Sequence, residues 1–251
     1  MQASAIAEQD TSPVTAYSRF RAAVAQAQFE HWLAELAPRG CVIDVSGPGA
    51  GTRAAAMAAQ AGHSVLRVIP LAEPGGAPAR AMPRRLRLVA ADGGGLDFLA
   101  SHSADAVIAE DRTLSRSLAA ETIVGEIARV LKPGGRVLAS VDSLTLGMSV
   151  LAQQHHWPHL VDLPHADVVL VPWPDGSITR CYGAEHLREL FAGSGFEVGW
   201  IRPRTVFAAT TVSYLLDRDP GSFKQLVNAE LRARGDDSVG DQLIVSAVLA
   251  R

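Results

Sequence analysis

The chain has 251 residues, 48% hydrophobic and 20% charged, with 23 Lys and Arg against 26 Asp and Glu for a net charge of −3. That is the composition of a folded protein with a sizeable core. It excludes a disordered or fibrous chain and offers no basic field to nucleic acid. Two cysteines, Cys41 and Cys181, are too few for a metal cluster, and no metal is expected. The first residues lack the basic and apolar regions of a signal peptide, and no apolar run reaches the ~18 residues of a membrane span. The expected setting is cytoplasmic, with free thiols. Only Lys132 and Lys224 are lysine among the 23 basic residues, a bias that points to a GC-rich, bacterial coding sequence.

Residues 14–36 carry helical spacing in Phe20, Val24, Ala27 and Leu36, broadened by Phe29, Trp32 and Leu33, and Pro38-Arg39-Gly40 stops the helix. Cys41-Val42-Ile43-Asp44-Val45 is a short strand running into the glycine-rich turn at residues 46–52, followed by an Ala-rich helix closed by Gly62. Strands are expected at residues 65–69, 86–90, 106–109 and 137–141, with a helix over 115–131 that ends at Lys132-Pro133-Gly134-Gly135. Short apolar runs alternating with helices predict a doubly wound, mostly parallel sheet over residues 40–142. Residues 143–183 gather His155, His156, His159 and His165 with Trp157, Trp173 and several prolines, and read as a cap or insertion. Regularity returns with a helix at 184–193, a strand at 196–201, a helix near 222–234 and a strand at 242–249, with an antiparallel pairing open at that edge. We expect one domain over residues 1–251, composed of a helical segment (1–39), a cofactor-binding core (40–142), a cap (143–183) and the remainder of the sheet (184–251).

A glycine turn between a first strand and a first helix lets backbone N–H groups approach a ligand. Gly47, Gly49 and Gly51 are spaced by two, which matches neither the dinucleotide fingerprint nor the phosphate loop, since Thr52 has no preceding lysine. The run Val42-Ile43-Asp44-Val45-Ser46-Gly47-Pro48-Gly49 instead resembles the first motif of class I S-adenosylmethionine-dependent methyltransferases. The likeness continues through Gly62-His63-Ser64-Val65, Ala91-Asp92, Asp105-Ala106-Val107-Ile108, the stretch from Ala128 to Leu138, and His186-Leu187-Arg188-Glu189-Leu190-Phe191 with Gly195-Phe196-Glu197-Val198. The resemblance implies a seven-stranded Rossmann-like sheet, S-adenosylmethionine as cofactor, and methyl transfer to a small-molecule acceptor. Two positions depart from the family. Ser46 either replaces a glycine or marks a missing residue, and Val68-Ile69-Pro70 lacks the acid that usually binds the ribose hydroxyls.

The resemblance puts Asp44, Ser46, Gly47, Gly49, Gly51, Asp92 and Glu110 at the cofactor, with Glu73 as the nearest acid able to reach back to the ribose. Asp111 ends the fourth strand at the ligand-binding edge and is a candidate proton acceptor, as are His155 and His156, because methylating oxygen or nitrogen requires removal of a proton. Trp157, His159, Arg180 and Tyr182 are candidate acceptor contacts. The departures keep two other functions in view: a degenerate methyltransferase-fold protein serving as partner or regulatory subunit, and a non-methylating enzyme that retains the cofactor. No nucleic-acid or membrane partner is expected, and a homodimer or pairing with another subunit is left open.

Overall fold

The computed structural model describes residues 15–47, 52–70, 83–91, 95–162, 168–173, 175–233 and 239–251. In chain order the elements are α1 (Ala16–Leu33), β1 (Cys41–Asp44), α2 (Arg53–Gln60), β2 (Ser64–Pro70), β3 (Leu86–Ala91), β4 (Ala104–Ala109), α3 (Ala120–Val130) and β5 (Leu131–Ser143). They are followed by α4 (Leu144–Gln153), α5 (Trp157–Asp162), β6 (Val168–Pro172), β7 (Ile178–Tyr182), α6 (Ala184–Ala192), β8 (Phe196–Arg204), α7 (Ala209–Arg218), α8 (Phe223–Arg232) and β9 (Gln242–Leu249).

Strands β3-β2-β1-β4-β5 lie parallel in that order. Beyond β5, β9 runs antiparallel between β5 and β8, which gives the mixed edge left open by the sequence. Side chains alternate across the sheet, so consecutive residues serve opposite faces. Val42, Ala106, Ile108 and Leu138 pack with Phe29 and Trp32 of α1 and Ala55 and Ala58 of α2. Their neighbours Ile43, Val107, Val137 and Ala139 pack with Val124 and Ile127 of α3 and Leu187 and Phe191 of α6. Each large side chain buried in these layers contributes about 1.5–3 kcal/mol. Helix α1 starts where the Thr15 hydroxyl accepts from Ser18 N (3.1 Å). Its first half packs Phe20 and Val24 against Val212 and Leu216 of α7 and Leu226 of α8.

Three expectations are corrected. First, β5 begins at Leu131, directly as α3 ends, and not at residue 137. Leu131 pairs with Ala104 and Arg136 with Ala106, so the Lys132-Pro133-Gly134-Gly135 stretch is a bulge inside the strand, with Gly134 at φ +79°. Second, the cap contains two strands, making nine in the sheet among the described residues. Val168-Val169-Leu170-Val171 is a legible apolar run, and Asp175 accepts from Ser177 N (2.9 Å) in a turn with Gly176 at φ +83°. Hairpin β6–β7 joins the sheet where Asp142 and Ser143 of β5 pair with Cys181 and Tyr182. Third, α7 occupies a stretch for which no element was expected. Among the described residues no helix is long and apolar enough to cross a membrane.

Candidate functional site

At the carboxyl edge of the sheet, the turn after β1 is fastened to the end of β4. Asp44 has no exposed surface. Its Oδ1 accepts from Ser46 N (2.9 Å), and its Oδ2 from the Arg67 guanidinium of β2 (2.7 Å). A second Arg67 nitrogen donates to the Gly47 carbonyl (3.2 Å). Ser46 Oγ accepts from Glu110 N (3.0 Å), and Gly47 N donates to the Glu110 carbonyl (2.9 Å). Ser46, the family departure, is therefore a staple between two strand ends. Gly47 is required by close approach: a Cβ there would lie 2.5 Å from the Asp111 carbonyl oxygen and 2.8 Å from its Oδ2. Gly47→Ala thus forces the turn off β4, and we expect a cost of about 1–3 kcal/mol in urea unfolding.

Glu110 and Asp111 follow β4 and face different partners. Both Glu110 oxygens accept from Arg204 at the end of β8 (2.8 and 3.0 Å), and Arg204 Nε donates to Gln28 of α1 (2.7 Å). Burial pushes the Glu110 carboxyl up, but the charge and hydrogen bonds of Arg204 outweigh it and hold the group below its ordinary range. Asp111 and Arg112 both have positive φ, +57° and +64°. Two consecutive non-glycine residues in the left-handed region mark a backbone held in place by its surroundings. Arg112 Nε donates to Asp142 Oδ2 (2.8 Å), and its terminal nitrogen lies 2.7 Å from the same oxygen. The guanidinium also sits over the Trp173 ring at 5.2 Å. Asp111 Oδ2 is buried without a hydrogen-bond partner among the described residues, with Arg116 3.8 Å away. Burial raises the Asp142 carboxyl despite Arg112.

Beside this edge lies a cavity of about 270 Å3, walled by Ala22, Ala25 and Phe29 of α1 and Ala54 and Met57 of α2. Its polar lining includes Glu110, Asp111, Arg21, Arg53, Arg204 and Gln242. Asp44, Ser46, Gly47, Glu110 and Asp111 are thereby brought together as one edge. Gly49, Gly51, Glu73, Asp92 and His165 lie outside the described residues.

The cap candidates are placed elsewhere. His155, at φ +58°, closes α4 by donating its backbone N–H to Ala152, and its exposed ring meets Trp157 edge-on at 5.7 Å. His156 is half-buried, Trp157 is 57% exposed, and His159 falls in α5. His155, His156 and Trp157 are not among the described residues that line the cavity. Arg180 forks onto Glu121 (3.0 and 2.9 Å). Tyr182 has no exposed surface, donates to the Leu114 carbonyl (3.3 Å), and has its hydroxyl pKa pushed up to about 12 by burial. Sequence reasoning missed Arg67, Arg204, Gln28 and Asp142. An arginine inside the apolar run Val65-Leu66-Arg67-Val68-Ile69 was a signal, since a buried charge demands a partner.

Residues 44–139 match the family model described as a methyltransferase domain. No curated protein matches the chain. Among solved structures, 1,6-didemethyltoxoflavin-N1-methyltransferase of Burkholderia thailandensis, crystallised with 1,6-didemethyltoxoflavin and S-adenosylhomocysteine, is similar at a TM-score of 0.57. The two are 20% identical, over 92% of this chain and 78% of that one. An S-adenosylmethionine-dependent methyltransferase from Mesorhizobium loti gives a TM-score of 0.58 at 16% identity, over 91% of this chain and 99% of that one. A chain from the complex between the Haloferax volcanii Trm112 methyltransferase activator and the putative methyltransferase gives 0.54 at 20% identity, over 92% and 98%.

Proposed function

We propose that this chain, whose residues 44–139 match a methyltransferase domain, is a class I S-adenosylmethionine-dependent methyltransferase that transfers the cofactor's methyl group to a small-molecule acceptor at the carboxyl edge of β1 and β4. The observation that carries the reading is Asp111: a carboxylate on a left-handed backbone, lining the cavity, with a buried oxygen that has no hydrogen-bond partner among the described residues. A polar ligand is what such an atom requires. Glu110 is committed to Arg204, so Asp111 is the acid left to orient an acceptor N–H or O–H and take its proton.

The residues present fit the amino-acid end of S-adenosylmethionine. Its carboxylate would be held by Arg53 and the start of α2, and its chain would cross the turn at Ser46 and Gly47. When bound, the cofactor supplies a sulfonium methyl open to in-line displacement. The protein's share is to hold the two reactants in line and shield them from water. At the ribose end β2 offers Ile69 in place of the family's acid, and Glu73 is the nearest carboxylate in sequence. We accordingly expect Ile69→Asp to tighten S-adenosylhomocysteine by about 1.5–3 kcal/mol, the worth of a charge-assisted hydrogen bond, in calorimetric titration.

A second reading, a partner subunit without methylating activity, is favoured by the same Ile69 and by the commitment of Asp44 to Arg67. The Haloferax volcanii neighbour, from a complex with an activator, is a fold-level parallel. Binding that appears only in Ile69→Asp would favour this second reading. Saturable binding by the natural chain favours the enzyme.

A further inference from the structure

One stripe of α1 forms a wall of the carboxyl-edge cavity. Ser18, Arg21, Ala22, Ala25, Gln26 and Phe29 all line it, and steps of three and four residues put them on a single face of the helix. Phe20 and Val24 turn instead towards α7 and α8. Ala22 and Ala25 of α1, with Ala54 of α2, are too short to close the space between the two helices. From Arg21 to Phe29 the stripe runs eight residues, about 12 Å at the rise of a helix. The cavity is therefore an elongated trough with an apolar wall and an arginine towards one end.

Charge along the trough is uneven. Arg204 and Glu110 are committed to each other, and Arg204 also to Gln28, two helical turns beyond Arg21. Arg21 and Arg53 then stand against Asp111 alone among the charged lining residues. Arg21 makes no hydrogen bond or ion pair among the described residues, and its guanidinium lies 5.9 Å from the Tyr17 ring, a contact that leaves its N–H groups unused. Asp241, just before β9, feels the Arg21 charge, yet burial holds that carboxyl above its ordinary range, so it is not a full counter-ion. Arg53 is the arginine that the reading above gives to the cofactor's carboxylate. A sulfonium cofactor has a net positive charge, which tips the balance further. An amine acceptor would meet like charge in this trough. A carboxylate meets opposite charge and matches the guanidinium fork, and one uncommitted guanidinium answers one negative charge.

We propose that the acceptor is an elongated apolar molecule bearing a carboxylate, held at its charged end by Arg21 and along its body by Ala22, Ala25, Phe29 and Met57, with its N–H or O–H presented to Asp111. This rests on the methyltransferase reading and names the acceptor class for the same site.

Calorimetric titration of the full chain, saturated with S-adenosylhomocysteine, tests it with probes of matched shape and different charge: phenylacetate and phenylacetamide, indole-3-acetate and indole-3-acetamide, and tryptamine. We expect an acid to bind saturably and about tenfold or more tighter than its amide, tryptamine to bind weakest, and Arg21→Gln to bring acid and amide to equal affinity. The affinity for S-adenosylhomocysteine should be unchanged in the variant. Arg21 is exposed, so its replacement leaves the core closed. No saturable binding of either acid, equal affinity of acid and amide in the natural chain, or an acid preference that survives in Arg21→Gln would overturn the proposal. Weaker S-adenosylhomocysteine binding in Arg21→Gln would overturn it too, by assigning this arginine to the cofactor, and would leave the methyltransferase reading standing. A natural chain that binds no S-adenosylhomocysteine fails that reading instead. The probes are then titrated into the chain alone, where an acid preference abolished by Arg21→Gln sustains the carboxylate site.

Discussion

Replacing Arg204 with methionine is expected to lower the unfolding free energy by about 3–5 kcal/mol, because it strands Glu110 as an uncompensated buried charge. Arg204 is 5% exposed and Glu110 9%, and the two meet through two hydrogen bonds. Urea unfolding at neutral pH measures the loss. Its pH dependence has a definite sign. In the natural chain the Glu110 carboxyl is held below its ordinary value of 4.5, so its contribution is full above that value and is lost as pH falls through the depressed one. Without Arg204 the largest influences that lower the carboxyl are gone and burial pushes it up, so the variant is penalised where Glu110 must ionise. The difference between the two proteins should therefore be largest at neutral pH and shrink as pH drops below the ordinary value. A constant difference across that range would show that the loss comes from packing alone.

The second large effect is expected at Arg67. Arg67→Met removes the partner of Asp44, a carboxylate with no exposed surface, and also the donor to the Gly47 carbonyl. Leaving that charge unpaired should again cost about 3–5 kcal/mol. The damage should also reach the ligand edge, because Asp44 orients the turn through Ser46 N. The double variant Arg67→Met with Asp44→Leu removes both charges and should recover most of the stability, since a buried pair replaced by apolar groups is often neutral. Failure of the double variant to recover would mean that Arg67 acts mainly through Gly47.

The sheet was legible in the sequence because its parallel strands are buried on both faces and therefore read as short apolar runs closed by turn residues. Val42, Ile43 and their counterparts in β4 and β5 carry that pattern without ambiguity. The hairpin β6–β7 was hidden because β6 ends on a proline, Pro172, which usually argues against a strand, and because its strands follow a histidine-rich stretch with no strand pattern. The start of β5 was obscured by Pro133 and Gly134, which mark a stop in most contexts but form a bulge here.

The first strand end and the turn after it were readable from the motif, and Asp111 from its place after the fourth strand, as parts of one edge of the sheet. Arg204 was not, because its partner Glu110 lies 94 residues away in sequence and only the antiparallel return of β8 and β9 brings them together. The cap histidines were singled out by residue type alone. Residue type suggested proton transfer, whereas His155 closes a helix on the surface through its left-handed backbone.

The account turns on whether the turn at Ser46 and Gly47 presents a cofactor at the edge where Asp111 waits. The direct measurement is calorimetric titration of the full chain with S-adenosylhomocysteine, repeated on Gly47→Ala after circular dichroism has verified its fold. A methyl group at residue 47 has no room against Asp111, so the turn must move away from β4. The account predicts one saturable site in the natural chain and affinity at least tenfold weaker in the variant, about 1.4 kcal/mol or more. Saturable binding of equal strength in both proteins would contradict it, as would the absence of binding in the natural chain.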